Sequence, residues 1–205
     1  MIDFEPRPSD CLLVIDVQND FCEGGALAVP DGDAVVGPIN ELTGRFGHVV
    51  LTQDWHPARH SSFASEHADR APYDVVEMAY GSQTLWPDHC IQGSEGARFH
   101  PRLEIDPARM AIRKGFRRAI DSYSAFREND RTTSTGLAGY LREAGTTRVV
   151  CVGLALDFCV RYSAEDAREA GFDCIVVEPA CRGIDLDGSV EAARRSMGAA
   201  GVRLT

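Results

Sequence analysis

No stretch of this 205-residue chain approaches the run of about eighteen apolar residues that a membrane-spanning helix needs, so no span is expected. The N-terminus, MIDFEPRPSD, has neither the basic start nor the apolar core of a secretory signal, and the expected setting is the cytoplasm. No C-x-x-C pair occurs among the seven cysteines (Cys11, Cys22, Cys90, Cys151, Cys159, Cys174 and Cys181). An odd count at scattered spacing, without a signal, excludes a disulfide framework and makes most of them structural. There is no basic cluster, and the net charge of −10 argues against nucleic acid as a partner. Neither G-x-G-x-x-G nor G-x-x-x-x-G-K-[ST] is present, which excludes the common dinucleotide and P-loop sites. Without repeats, low-complexity tracts or linkers, residues 1–205 read as a single domain, long enough for a sizeable core.

What is present is an alternation of apolar runs and helical periods. CLLVID from Cys11, HVVLT from His48, MAIRKG from Met110, RVVCVG from Arg148 and CIVVE from Cys174 read as strands, and VRLT closes the chain as a last one. Helical spacing links Val35, Ile39, Leu42 and Phe46; then Leu137, Leu141 and Ala144; then Val160, Ala164 and Ala167; then Val190, Ala193, Met197 and Ala200. The implied architecture is an α/β layer fold with a mostly parallel sheet, whose functional groups gather at the carboxyl ends of the strands. From about Trp55 to Pro107 the pattern dissolves into a segment rich in His, Ser, Pro and Gly, and so long a structureless segment is usually functional.

The strand ends carry the chemistry. Cys159 follows the RVVCVG strand in what reads as the first turn of a helix, with Asp157 as the expected N-cap. A thiol there meets unpaired N–H groups and the positive end of the helix dipole, so a lowered pKa and an oxyanion site are expected. Taken alone, a cysteine is more often a small buried hydrophobe. Asp16 ends the first strand and Lys114 the third; singly they read as a cap and a solvated charge. Brought together, an ammonium and a carboxylate beside a thiol stabilise thiolate and shuttle its proton. Asp54-x-His56 ends the second strand, and residues two apart in extended chain point the same way, so both reach one ion. His60, Glu66 and His89 follow; a carboxylate with imidazoles suits Zn²⁺, Fe²⁺ or Mn²⁺. Phe21, Trp86 and Tyr123 fall in the irregular loops, where aromatics pack on the core or sandwich a flat ligand.

IDVQNDFCEGGALAVPDGD, QDWHPARHSSFAS, WPDHCIQGSEGARFHP, KG followed by DSYSAF, GLALDFCV and ACRG, in this order, closely resemble bacterial nicotinamidases of the isochorismatase-like family of cysteine hydrolases. The resemblance extends from about Leu12 to the C-terminus. It implies a three-layer α/β/α fold with a six-stranded parallel sheet. It also implies hydrolysis of nicotinamide to nicotinate and ammonia, an activity of NAD salvage, commonly extended to pyrazinamide. By position, the catalytic triad it implies falls on Asp16, Lys114 and Cys159, and the metal ligands on Asp54, His56 and His89, with His60 as a candidate further ligand. One divalent ion is implied, zinc ahead of iron or manganese. The pocket aromatics fall on Phe21, Trp86 and Tyr123. The oxyanion hole falls on the N–H groups of Ala155 and Cys159, with a cis peptide joining Leu154 to Ala155. Where relatives commonly carry a hydroxyl residue, this chain has Leu156, so Leu156 is expected to tune substrate preference. Arg117 and Arg118 have no reading from sequence.

Two other readings compete. Another amidase or isochorismatase-type hydrolase is disfavoured by the D-x-H pair with His89, which isochorismatase-type members generally lack. A non-catalytic metal-binding paralogue is disfavoured because Asp16, Lys114 and Cys159 are all present. The implied partner is a small molecule; the sequence leaves a homo-oligomer open.

Overall fold

Strand pairing follows the apolar runs. The computed structural model describes residues 4–205. The strands in chain order are β1 (Asp10–Ile15), β2 (Val49–Asp54), β3 (Val75–Met78), β4 (Gly81–Thr84), β5 (Ala108–Lys114), β6 (Arg148–Leu154), β7 (Asp173–Arg182) and β8 (Arg203–Leu204). Six of them form one sheet in the order β5-β2-β1-β6-β7-β8, with every neighbouring pair parallel. The helices are α1 (Val36–Thr43), α2 (Leu137–Glu143), α3 (Arg161–Glu169) and α4 (Ser189–Ala199).

The two-residue period of a strand assigns alternate side chains to opposite faces. Leu12, Val14, Val49, Leu51, Val150, Val152 and Ile175 pack with α1 residues such as Ile39 and Leu42. Leu13, Ile15, Val50, Val149, Cys151 and Val176 pack instead with Leu137 and Leu141 of α2, Ala164 and Ala167 of α3, and Met197 of α4. Three layers result, with helices on both faces of a parallel sheet whose central strands β2, β1 and β6 are buried throughout. Strand order runs outward from the centre both ways: β1 to β2 to β5, and β6 to β7 to β8. The direction reverses between β1 and β6, and the crevice beyond the carboxyl ends of the strands at such a reversal is where ligands bind.

Three expectations are corrected. The segment after Trp55 is not structureless: β3 and β4 pair as an antiparallel hairpin, and single bridges join His56 to Ile91 and Phe63 to Trp86. Val75 on this hairpin is exposed, so no alternation announced it. β7 does not stop at Glu178 but continues through Pro179 to Arg182. Its register against β6 shifts between Cys151 and Gly153, so Pro179, which lacks an N–H, falls where no ladder partner is required. Asp157 does not cap a helix beginning at Phe158. Leu156–Val160 form a single π-helical turn, and α3 starts only at Arg161. Among the described residues no helix is long and apolar enough to cross a membrane.

Candidate active site

Four adjacent strands, β5, β2, β1 and β6, deliver their carboxyl ends to one place. Parallel register sets Lys114 directly beside Asp54, and Ile15 beside Gly153. β1 and β5 are not neighbours; Lys114 reaches across the end of β2. Its ammonium lies 2.8 Å from Asp16 Oδ2, 3.1 Å from Asp54 Oδ1 and 3.4 Å from Cys159 Sγ. It also donates to the Ser122 carbonyl at 2.9 Å. Asp16 has a left-handed backbone, φ 49°, and its Oδ1 accepts the Thr52 hydroxyl at 2.5 Å while the same hydroxyl oxygen accepts the Asp16 N–H at 3.1 Å. Both Asp16 and Lys114 are fully buried.

Burial dominates the proton affinities. It pushes the Asp16 carboxyl up, against the pull of the Lys114 ammonium. It works against the charge of Lys114, yet Asp16 and Asp54 outweigh it and hold that pKa well above the ordinary value. For Cys159 burial raises the thiol well above its usual range; Lys114 pulls it down, but Asp16 and Asp54 push the same way as burial. The lowered pKa expected at a helix N-terminus is therefore overturned. Burial thus raises both the Cys159 thiol and the Asp16 carboxyl, and Lys114 opposes the shift at each.

The turn that carries Cys159 begins after a cis peptide between Leu154 and Ala155. The Ala155 carbonyl accepts the N–H groups of Phe158 and Val160, each at 3.1 Å, and skips the Cys159 N–H between them. The turn points Phe158 into the pocket and packs Leu156 with the apolar side chains under the sheet, beside Cys159 and Val160. The neighbour of the sulfur that faces a ligand is thus Phe158; Leu156 is absent from the pocket wall.

Asp54, His56 and His89 bring one carboxylate oxygen and two ring nitrogens within 4.8 Å of one another. His56 Nδ1 donates to the Gly115 carbonyl at 2.9 Å and His89 Nδ1 to the Pro87 carbonyl at 2.8 Å. These bonds leave the two Nε2 atoms facing Asp54 Oδ2, at 3.1 and 3.5 Å. Burial works against charge on His56, but Asp54 outweighs it and raises its pKa. Burial likewise raises Asp54, and the charges of His56 and Lys114 override it, holding the carboxyl well below its usual range. Two oriented imidazole nitrogens converging on an ionised carboxylate fit a divalent cation, which would take the place of the His56 Nε2 proton. Gly115 permits this geometry: it has φ 66°, and a Cβ there would lie 2.5 Å from His56 Cε1.

His60 is not brought into this group. Its Nδ1 meets the Ser62 hydroxyl at 2.8 Å, and its Nε2 faces the Arg117 and Ile120 carbonyls at 3.0 and 3.2 Å. Both nitrogens are committed, although His56, His60 and Asp121 also cluster closely. The ring packs against His56 instead, tilted by 41° with 4.3 Å between centroids. Glu66 pairs with Arg59 at 3.2 Å and Arg118 at 3.6 Å. Arg117 pairs with buried Glu128, so the two arginines staple the loops around the site.

A narrow pocket opens over Cys159 and Asp54. Phe21, Trp86 and Tyr123 line it, together with Leu27, Phe158 and Ile184. Trp86 stands edge-on to Phe158, 4.8 Å between centroids, and to Tyr123, 6.1 Å. Three supporting residues escaped the sequence reading. Buried Gln18 clamps Asp54 through its own amide, accepting the Asp54 N–H at 2.7 Å and donating to its carbonyl at 2.9 Å. Buried Gln83 donates to Asp121 at 2.7 Å and Tyr123 at 2.9 Å. Thr52 orients Asp16. Gln18 stands two residues after Asp16 and Thr52 two before Asp54, the one spacing that could have marked them.

The whole arrangement has relatives. The isochorismatase domain model matches residues 10–205. The nicotinamidase of Acinetobacter baylyi is 52% identical over 94% of this chain and 90% of its own length. The solved nicotinamidase/pyrazinamidase of Acinetobacter baumanii superposes with a TM-score of 0.96 at 53% identity, covering 98% of this chain and 97% of that one. A pyrazinamidase of Pyrococcus horikoshii, solved in complex with zinc, superposes with a TM-score of 0.77 at 32% identity over 97% and 99% of the two chains. With the strand order, the buried Asp–Lys–Cys cluster and a family match across nearly its full length, the chain belongs to the isochorismatase-domain family.

Proposed function

We propose that the chain works as a single hydrolase domain, a nicotinamidase that converts nicotinamide to nicotinate and ammonia and also accepts pyrazinamide. The observation that carries this reading is the buried Asp16–Lys114–Cys159 cluster at the floor of an aromatic pocket. Phe21, Trp86 and Tyr123 suit a flat heteroaromatic ring, and the nicotinamidase relatives point to the same substrate.

Asp16 accepts the Cys159 proton as the sulfur attacks the carboxamide carbon. Its raised proton affinity equips it for that task, and Lys114 balances the charge that develops on sulfur. The Ala155 and Cys159 N–H groups receive the oxyanion; losing one such donor costs about 3 kcal/mol of barrier in comparable sites. The intermediate collapses to a thioester as Asp16 gives its proton to the departing nitrogen, releasing ammonia. Asp16 then takes a proton from an entering water, whose oxygen attacks the thioester carbon. Nicotinate leaves, and the sulfur recovers a proton. Asp54, His56 and His89 hold one divalent cation, zinc by the character of the donor set and as in the Pyrococcus relative. When bound, it supplies a Lewis acid at the pocket wall.

Metal-loaded, reduced protein incubated with nicotinamide should release ammonia and nicotinate in equal amounts, and pyrazinamide should be consumed as well. Absence of both products from nicotinamide refutes the assignment. For the metal group, His89→Ala and Asp54→Ala should lower bound metal from about one equivalent per chain to near none, read by elemental analysis. Retention of a full equivalent in both variants would mean that the ligands lie elsewhere.

A further inference from the structure

Asp157 stands two residues before Cys159 in the π-helical turn, buried and outside the pocket wall. Its carboxylate accepts three donors, two from the loop after β7 and one from the first residue of α4. Oδ1 takes the Ile184 N–H at 3.0 Å; Oδ2 takes the Asp185 N–H at 2.8 Å and the Ser189 hydroxyl at 2.5 Å. The loop joins β7 to α4 and carries two aspartates in the left-handed region. Asp185 and Asp187 have φ 60° and 50°, a region aspartate tolerates better than most non-glycine residues and one that external hydrogen bonds help to fix. At the start of α4 the Val190 N–H is taken by the Asp185 Oδ1 at 3.2 Å, from within the same loop. At the head of the loop the chain presses close: a Cβ on Gly183 would lie 2.4 Å from Val190 Cγ2 and 3.1 Å from Asp157 Oδ1. Next in sequence is Ile184, whose side chain lines the pocket.

We propose that Asp157 is a positioning residue for substrate binding: it clamps loop 183–189 so that Ile184 closes the pocket wall against the substrate ring. The inference rests on the nicotinamidase reading for the identity of that ring. A carboxylate suits the task because both of its oxygens are acceptors, and donors converge on both. An amide does not. Whichever way an asparagine turns, it presents N–H groups to N–H groups on one side. The same turn carries Phe158 into the pocket and the sulfur to its floor, so the clamp references the wall to the reacting centre.

The test compares Asp157→Asn, Ser189→Ala and Ile184→Ala with wild type. In Asp157→Asn the KM for nicotinamide should rise about tenfold while kcat stays within about threefold. Ile184→Ala should show the same split, and the double variant should be no worse than the more affected single one, because both remove the same wall. Hydrogen exchange at the amides of 184–189 should quicken in Asp157→Asn and, to a lesser degree, in Ser189→Ala, which loses one bond of three and keeps the test alive if the first variant folds poorly. Alkylation of Cys159 by iodoacetamide should keep its wild-type rate. Multiplying KM effects in the double variant, unchanged exchange in both loop variants, or a kcat and alkylation defect at wild-type KM would each overturn the proposal; the last would assign Asp157 to the nucleophile turn. Wild-type protein without nicotinamide turnover would instead sink the functional reading. The exchange measurement needs no substrate and would still decide whether the clamp exists.

Discussion

Cys159→Ala is expected to abolish nicotinamide hydrolysis, by about 10⁴-fold or more, while leaving bound metal and the fold in place. The reasoning is local. The sulfur lies 3.4 Å from the Lys114 ammonium, and the hydroxyl of pocket-lining Tyr123 is already committed to Gln83 and Trp86. It lies outside the Asp54–His56–His89 group, so its removal takes away no metal ligand. Alanine also relieves the Lys114 ammonium of only one of its four contacts, and the least polar one. Stopped assays for ammonia, with elemental analysis and a thermal melt on the same preparation, separate chemistry from folding. Turnover within tenfold of wild type would remove Cys159 from the nucleophile role.

The contrast between what could be read in the sequence and what could not follows the range of the interactions. Asp16, Asp54 and Lys114 were legible because each ends an apolar strand, and parallel sheets deliver such ends to one crevice. The face that each strand residue takes was legible for the same reason: a period of two assigns Leu12 and Leu13 to opposite layers. Asp157 misled because an aspartate before a helical period normally caps its own helix. Its real donors lie 27 to 32 residues further on, where no local pattern points back to it. Leu156 misled for a related reason. Which neighbour of Cys159 faces the pocket depends on the π-helical turn, and the period of α3 merges into that turn without a break. The proton affinity of Cys159 was misjudged in sign. A helix terminus is a partial charge, whereas full burial beside two carboxylates is a larger effect of the opposite direction. The β3–β4 hairpin was invisible because its strands have four residues each and its one deeply buried side chain, Gln83, is polar.

Lys114→Met should cost both the reaction and the fold. Methionine reproduces the stem of lysine as far as Cε but leaves Asp16 and Asp54 in a buried site without their shared counter-charge. Removing one partner from a buried ion cluster costs about 3–5 kcal/mol, because the remaining charges cannot regain water. Turnover should fall by about 10³-fold or more, since the thiolate loses the one cation in contact with it. A pH series of urea melts tests the electrostatic origin. With the ammonium gone, burial and the Asp54 charge both push Asp16 further up, with nothing from Lys114 to oppose them. A carboxyl whose folded pKa exceeds its unfolded value stabilises the fold while protonated, fully so below the ordinary aspartate range, and loses that contribution as pH rises through the folded value. The stability deficit of Lys114→Met relative to wild type should therefore narrow as pH falls towards the ordinary aspartate range and widen towards neutrality. A deficit independent of pH would indicate lost packing rather than lost charge. No deficit at all would mean that Asp16 and Asp54 do not depend on Lys114, and the charge-balanced triad would have to be abandoned.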